Sequence, residues 1–114
     1  MDKLKKFQQA IVEIMDEYAA ERSNSKSYEG LRFDKIIDPK HFRYQFVLLG
    51  WDGNERIYNI IFHIDIIDEK IWIQRDNIEE SVAVLLNEKG ISNQDIVLAY
   101  FPESHRKYTE YAVA

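Results

Sequence analysis

His63 and Asp65 are the side chains of this sequence whose types and spacing suit them best for chemistry. An imidazole beside a carboxylate can act as a general base, and both groups are common metal ligands. Residues two apart on a strand point to the same face, so an extended segment aims both at one ligand. If the preceding strand sets Arg43 across from Asp65 and Gln45 across from His63, and Gln74 flanks His63 on the other side, the five form a polar cluster on the exposed face of a sheet. A metal-dependent enzyme using His63 and Asp65 is one reading of that cluster. The preferred reading is an ordinary polar outer face or part of an interface, because two ligands do not complete a zinc site without a third placed by the fold. His41 and His105 lie in segments whose positions the sequence does not fix. We therefore assign no catalytic residue and no metal ligand.

Other catalytic chemistry has little support. The chain contains no cysteine, which removes thiol nucleophiles, disulfides and Cys-based zinc sites together. There is no G-x-S-x-G nucleophile elbow and no phosphate-cradling glycine loop, so no cofactor is expected. Fifteen basic against twenty acidic side chains give a formal net charge of −5. A protein that gains affinity by displacing counterions from DNA usually has the opposite balance, so DNA is expected to be contacted mainly indirectly. Lys3, Lys5 and Lys6, and Arg106 and Lys107, read as solvated surface. No stretch approaches the roughly 20 apolar residues of a membrane span, and with the absence of cysteine the expectation is a soluble cytoplasmic protein.

The elements that must position these residues follow from periodicity. Leu4, Phe7, Ile11, Ile14 and Tyr18 recur at spacings of three and four, which draws an apolar stripe down a helix of about five turns. The polar run Arg22 to Ser27 ends it, and Tyr28 to Asp38 reads as an edge strand before Pro39. Phe42, Tyr44, Phe46 and Leu48 alternate with Arg43 and Gln45 in a strand. Tyr58, Ile60, Phe62, Ile64 and Ile66 form the apolar row of the next, central strand. Asp52-Gly53-Asn54 suits the tight reversal between them, and an odd-length loop is preferred because it aligns the two rows. A two-residue loop at Asp68-Glu69 would pair Ile66 with Ile71 and Ile64 with Ile73. Val82, Leu85 and Leu86 mark a second helix stopped by Gly90, Ser92 to Asp95 adds a helical turn, and Ile96 to Phe101 reads as a buried strand. The fold class expected is α+β: an N-terminal helix and a second helix packed on one face of a mainly antiparallel sheet of about four to five strands, in a single domain over residues 1–114.

The mixed outer face would also carry Ile61, Ile67 and Trp72. Aromatic and aliphatic groups among polar neighbours suit a protein contact, so these three, with Tyr108 and Tyr111, are a candidate partner interface. The competing reading is that a late helix covers them as core residues. A symmetric homodimer is the default oligomer.

Several segments resemble a known family. Gly50-Trp51 leads through Arg56 to His63-Ile64-Asp65-Ile66 and Lys70-Ile71-Trp72-Ile73-Gln74; then come Asp95-Ile96-Val97-Leu98-Ala99 and Arg106-Lys107-Tyr108-Thr109-Glu110-Tyr111-Ala112-Val113-Ala114. In order and spacing these resemble the fdxN-element excision controlling factor family, the XisI-like proteins, over essentially the whole chain. The resemblance implies a non-enzymatic accessory protein in programmed DNA rearrangement, where excision of a DNA element is controlled in differentiating filamentous cyanobacteria. It also implies association with an XisH-type companion, itself resembling a nuclease-fold protein, and with a recombinase. An alternative within the same resemblance is an inhibitor- or antitoxin-like restraint on that companion.

Overall fold

The computed structural model describes residues 2–114. Its sheet contains β1 (Leu31–Asp38), β2 (Arg43–Asp52), β3 (Glu55–Ile67), β4 (Lys70–Asp76) and β5 (Ile96–Leu98), in that spatial order. The first four strands are antiparallel, and β5 runs parallel to β4. That last pairing needs a crossover, which helix α2 (Val82–Glu88) supplies. Helix α1 (Lys3–Arg22) and α2 share one face of the sheet with the main core, which is the α+β arrangement expected. A short third helix, α3 (Glu103–Arg106), follows β5.

The stripe on α1 does what its spacing predicts: Phe7, Ala10, Ile11, Ile14 and Met15 are buried against the sheet. The Asp2 carboxylate caps the helix by accepting from the Leu4 N–H at 3.1 Å. Helix α2 has no such local cap, since Ser81 takes φ 72° and makes no side-chain cap bond. Asp76, at the end of β4, replaces it: its carboxylate accepts from the N–H of Ile78 at 3.2 Å and of Val82 at 2.9 Å. The helix ends at Gly90, whose φ of 88° suits the left-handed residue after a C-cap.

The β2–β3 hairpin departs from the expected odd-length loop. Asp52 pairs with Glu55, so the loop is the two residues Gly53 and Asn54. Parity is restored by a bulge: Phe46 faces Phe62 while Val47 faces Ile60, and Ile61 is the extra residue. Beyond the bulge the expected partners hold, Gln45 with His63 and Arg43 with Asp65. Before it the apolar row is broken, and Tyr58, assigned to the core row, is 59% exposed. Phe62, Ile64 and Ile66 remain buried, with Ile60 only half-buried. On β2 the row begins at Tyr44, because Phe42 takes φ 57° in the preceding turn.

The β3–β4 hairpin has the expected register, Ile66 opposite Ile71 and Ile64 opposite Ile73. Its two loop residues both lie in the left-handed region, Asp68 at φ 51° and Glu69 at φ 59°. Paired positive φ values are the signature of the mirror-image turns that match strand twist, and the second position favours glycine. Glu69→Gly is therefore expected to raise stability by about 1 kcal/mol, read as a higher urea midpoint at unchanged slope.

The run expected as a strand from Ile96 to Phe101 stays in the sheet only as far as Leu98. The last residues then return along β5: Ala112 bridges Val97 in parallel and donates its N–H to the Ile96 carbonyl at 2.9 Å. The β5 edge is thereby capped, while β1 forms the other edge of the sheet.

Candidate functional site

Alternation along β2 and β3 sends Gln45, His63 and Asp65 to the face opposite α1 and α2, since their neighbours Tyr44, Phe46, Phe62, Ile64 and Ile66 fill the core. There the polar residues form a continuous hydrogen-bonded chain. The Gln45 amide Nε2 lies 3.1 Å from His63 Nδ1, His63 Nε2 lies 3.0 Å from Asp65 Oδ1, and Gln74 Nε2 donates to Asp65 Oδ2 at 3.2 Å. With the Gln45 amide donating to Nδ1, the imidazole carries its proton on Nε2 and donates it to the carboxylate. Both ring nitrogens and both carboxylate oxygens are then engaged within the protein.

Four of the five predicted residues are thus brought together in one chain. Arg43 pairs with Asp65 across the ladder, but its exposed guanidinium makes no ion pair with Asp65. Gln74 reaches Asp65 and not His63, because a second bulge sets Arg75 opposite His63. His41 hydrogen-bonds Asp38 at 2.7 Å in the β1–β2 turn, which holds the Asp38 carboxyl below its usual range. His105 lies on α3. Among the described residues no group of three His, Cys, Asp or Glu side chains is placed to hold a metal ion. What this arrangement does chemically is fix the outer ends of β2, β3 and β4 to one another and present a half-buried polar surface.

The predicted interface residues divide. Ile61 is 7% exposed and belongs to the core cluster; as the bulge residue it is turned inward, which corrects its assignment to the outer face. Tyr111 is half-buried and packs against the core. Trp72 is half-buried beneath Arg106, whose guanidinium carbon sits 5.4 Å from the ring centroid. Arg106 is itself held by the Phe101 carbonyl at 3.1 Å and the Ala99 carbonyl at 3.4 Å, so the segment after β5 covers this part of the outer face. Ile67 and Tyr108 remain exposed, Tyr108 at 79%.

The stronger exposed surface was missed by sequence reasoning. Trp51 and Tyr58 are more than half exposed at the outer end of the β2–β3 hairpin. Ladder pairs share a face, and Trp51 pairs with Arg56 while the next pair on that face is Leu49 with Tyr58. The Arg56 guanidinium carbon lies 5.4 Å from the Trp51 ring centroid. Leu49 and Val47 follow in the same row toward the polar chain but are buried, flanked by Arg32 and Asp34 on β1. The signal available was the Gly53-Asn54 loop: a two-residue reversal turns Tyr58 outward with Leu49, provided a bulge follows.

Comparison with known proteins identifies the architecture. The model of the XisI protein family matches residues 1–113. The crystal structure of a XisI-like protein from Anabaena variabilis is 32% identical and superposes with a TM-score of 0.86, covering 97% of this chain and 99% of its own. The fdxN element excision controlling factor XisI from the same organism is 34% identical, with a TM-score of 0.78 and coverage of 99% and 100%. No curated protein sequence matches significantly.

Proposed function

The chain belongs to the XisI family, and on that premise we propose that it is a non-enzymatic accessory factor controlling excision of a DNA element, acting by association with other proteins. The fold and the similarity to the fdxN element excision controlling factor XisI support this reading. The observation that carries it is the outer sheet face, which α1 and α2 leave open and where Trp51 and Tyr58 stand exposed beside Arg56. Tryptophan, tyrosine and arginine are the residues that most often carry the energy of protein interfaces. The neighbouring His63 has a partner on each ring nitrogen and Asp65 one on each carboxylate oxygen, which holds this part of the face in a fixed geometry.

The partners proposed are an XisH-type companion and, through it, a recombinase, with DNA contacted chiefly by them. Co-expression with the companion followed by a gel-shift assay tests this. The expected outcome is co-purification, with DNA retarded only when the companion is present. Tight, sequence-specific DNA binding by the isolated chain at physiological salt would overturn it.

A second reading, restraint of a nuclease-fold companion, is favoured by a groove between α1 and α2. Its floor is Ile14, Tyr18 and Leu85, and its rim carries Glu17, Glu21, Glu80, Glu88 and Lys89. Lys89 is held as an ammonium, its pKa raised chiefly by the hydrogen bond to Glu17 at 2.6 Å. An acidic rim of this kind complements a surface built to hold DNA. Loss of companion nuclease activity on mixing selects this version; unchanged cleavage rejects it.

A further inference from the structure

We propose that two copies of this chain join edge to edge through β1, antiparallel about a two-fold axis, with Arg32 of each copy opposite Asp34 of the other. The proposal goes beyond the accessory role and does not depend on the companion.

The free edge follows from the hydrogen bonds of β1. The Gly30 carbonyl accepts from the Trp51 N–H at 3.1 Å, which makes Leu31 and Gly50 a pair without mutual bonds and Arg32 and Leu49 the first bonded pair. Arg32, Asp34, Ile36 and Asp38 therefore aim their backbone groups at β2. Leu31, Phe33, Lys35 and Ile37 aim theirs away from the sheet, where no strand among the described residues pairs with them. The opposite edge is capped by the bridge from Ala112 to Val97, so β1 is the open one. It is eight residues long and contains neither proline nor a bulge. Edges of that kind are templates for another strand.

Charge complementarity selects a second copy and one register. A two-fold axis perpendicular to the sheet keeps both pairs of helices on one side, so each β1 residue must face one of the same parity. Centring on Asp34 sets Asp34 against itself, and centring on Lys35 sets Lys35 against itself. Centring on Phe33 sets Phe33 against Phe33, Leu31 against Lys35 and Arg32 against Asp34, with no like charges opposed. In that register the outward N–H and C=O groups of Leu31, Phe33 and Lys35 all find partners. Arg32 and Asp34 already meet within one chain, at 3.1 Å, on the outer face. Pairing lets each reach across to the other copy. Ile36, 48% exposed, falls opposite Gly30, which has no side chain to obstruct it.

The test is sedimentation equilibrium on the wild-type chain and four variants. Wild type is expected to run at twice the 13.6 kDa chain mass. Arg32→Asp and Asp34→Arg, each acting twice per dimer, are expected to raise the dimer Kd about 10-fold or more. The double variant Arg32→Asp/Asp34→Arg is expected to restore it, because only this register exchanges those two positions. Lys35→Pro, which removes an N–H facing the open edge and not β2, is expected to leave a folded monomer by circular dichroism. A monomeric wild type at its highest soluble concentration overturns the proposal, as does a dimer indifferent to the single charge reversals or a double variant that stays monomeric.

Discussion

Trp51→Asp combined with Tyr58→Asp is expected to abolish co-purification with the companion while leaving the chain folded. Both side chains are exposed by more than half, so replacing them costs little in stability, within about 0.5 kcal/mol for each. At the centre of an interface each would contribute at least about 2 kcal/mol, a factor of roughly 30 in Kd per residue. The two losses fall on adjacent ladder pairs of one face and act on the same contact. Pull-down against the companion, with a thermal melt beside it, separates loss of surface from loss of fold. A double variant that folds and still binds at wild-type affinity places the contact elsewhere.

Gly50→Ala has the largest effect expected from a single methyl group. Gly50 sits at φ 144°, and a Cβ there would stand 2.2 Å from the Gly30 carbonyl oxygen and 2.9 Å from the Leu31 Cα. Both obstacles are backbone, so β1 must move away from β2 at its first pair. Backbone strain of about 1–3 kcal/mol and overpacking of a similar size both oppose the change. The expected result is a fall in urea midpoint equivalent to about 2–5 kcal/mol, with hydrogen exchange accelerated first in β1. Gly53→Ala is the natural control, because a Cβ at Gly53 meets nothing within 4 Å and carries only the cost of its φ of 61°. Equal stability of wild type and Gly50→Ala would contradict the packing described.

Much of this fold is written in short-range pattern. The apolar stripe of α1, the isoleucine pairs of β3 and β4 and the stop at Gly90 are local signals, and each element forms as its spacing predicts. The bulge at Ile61 is not local. It reconciles a two-residue loop with an apolar row that would otherwise face outward, so it depends on which side α1 occupies. That single extra residue explains why Ile61 lies in the core and Tyr58 at the surface. The polar chain was legible because Gln45, His63 and Asp65 lie beyond the bulge, where the expected partners are recovered. Gln74 was placed beside the wrong residue for the same kind of reason, a second bulge between His63 and Ile64. The fate of Trp72 depended on a return of the chain after β5 that no periodicity announces in so short a segment.

Side-chain oxidative footprinting of the chain, alone and saturated with the companion, tests the central claim that the open sheet face is the working surface. Trp51 and Tyr58 are expected to lose most of their reactivity on binding, while Tyr108, exposed on the segment after α3, keeps its own. Unchanged oxidation of Trp51 and Tyr58 in a saturated complex would contradict the account.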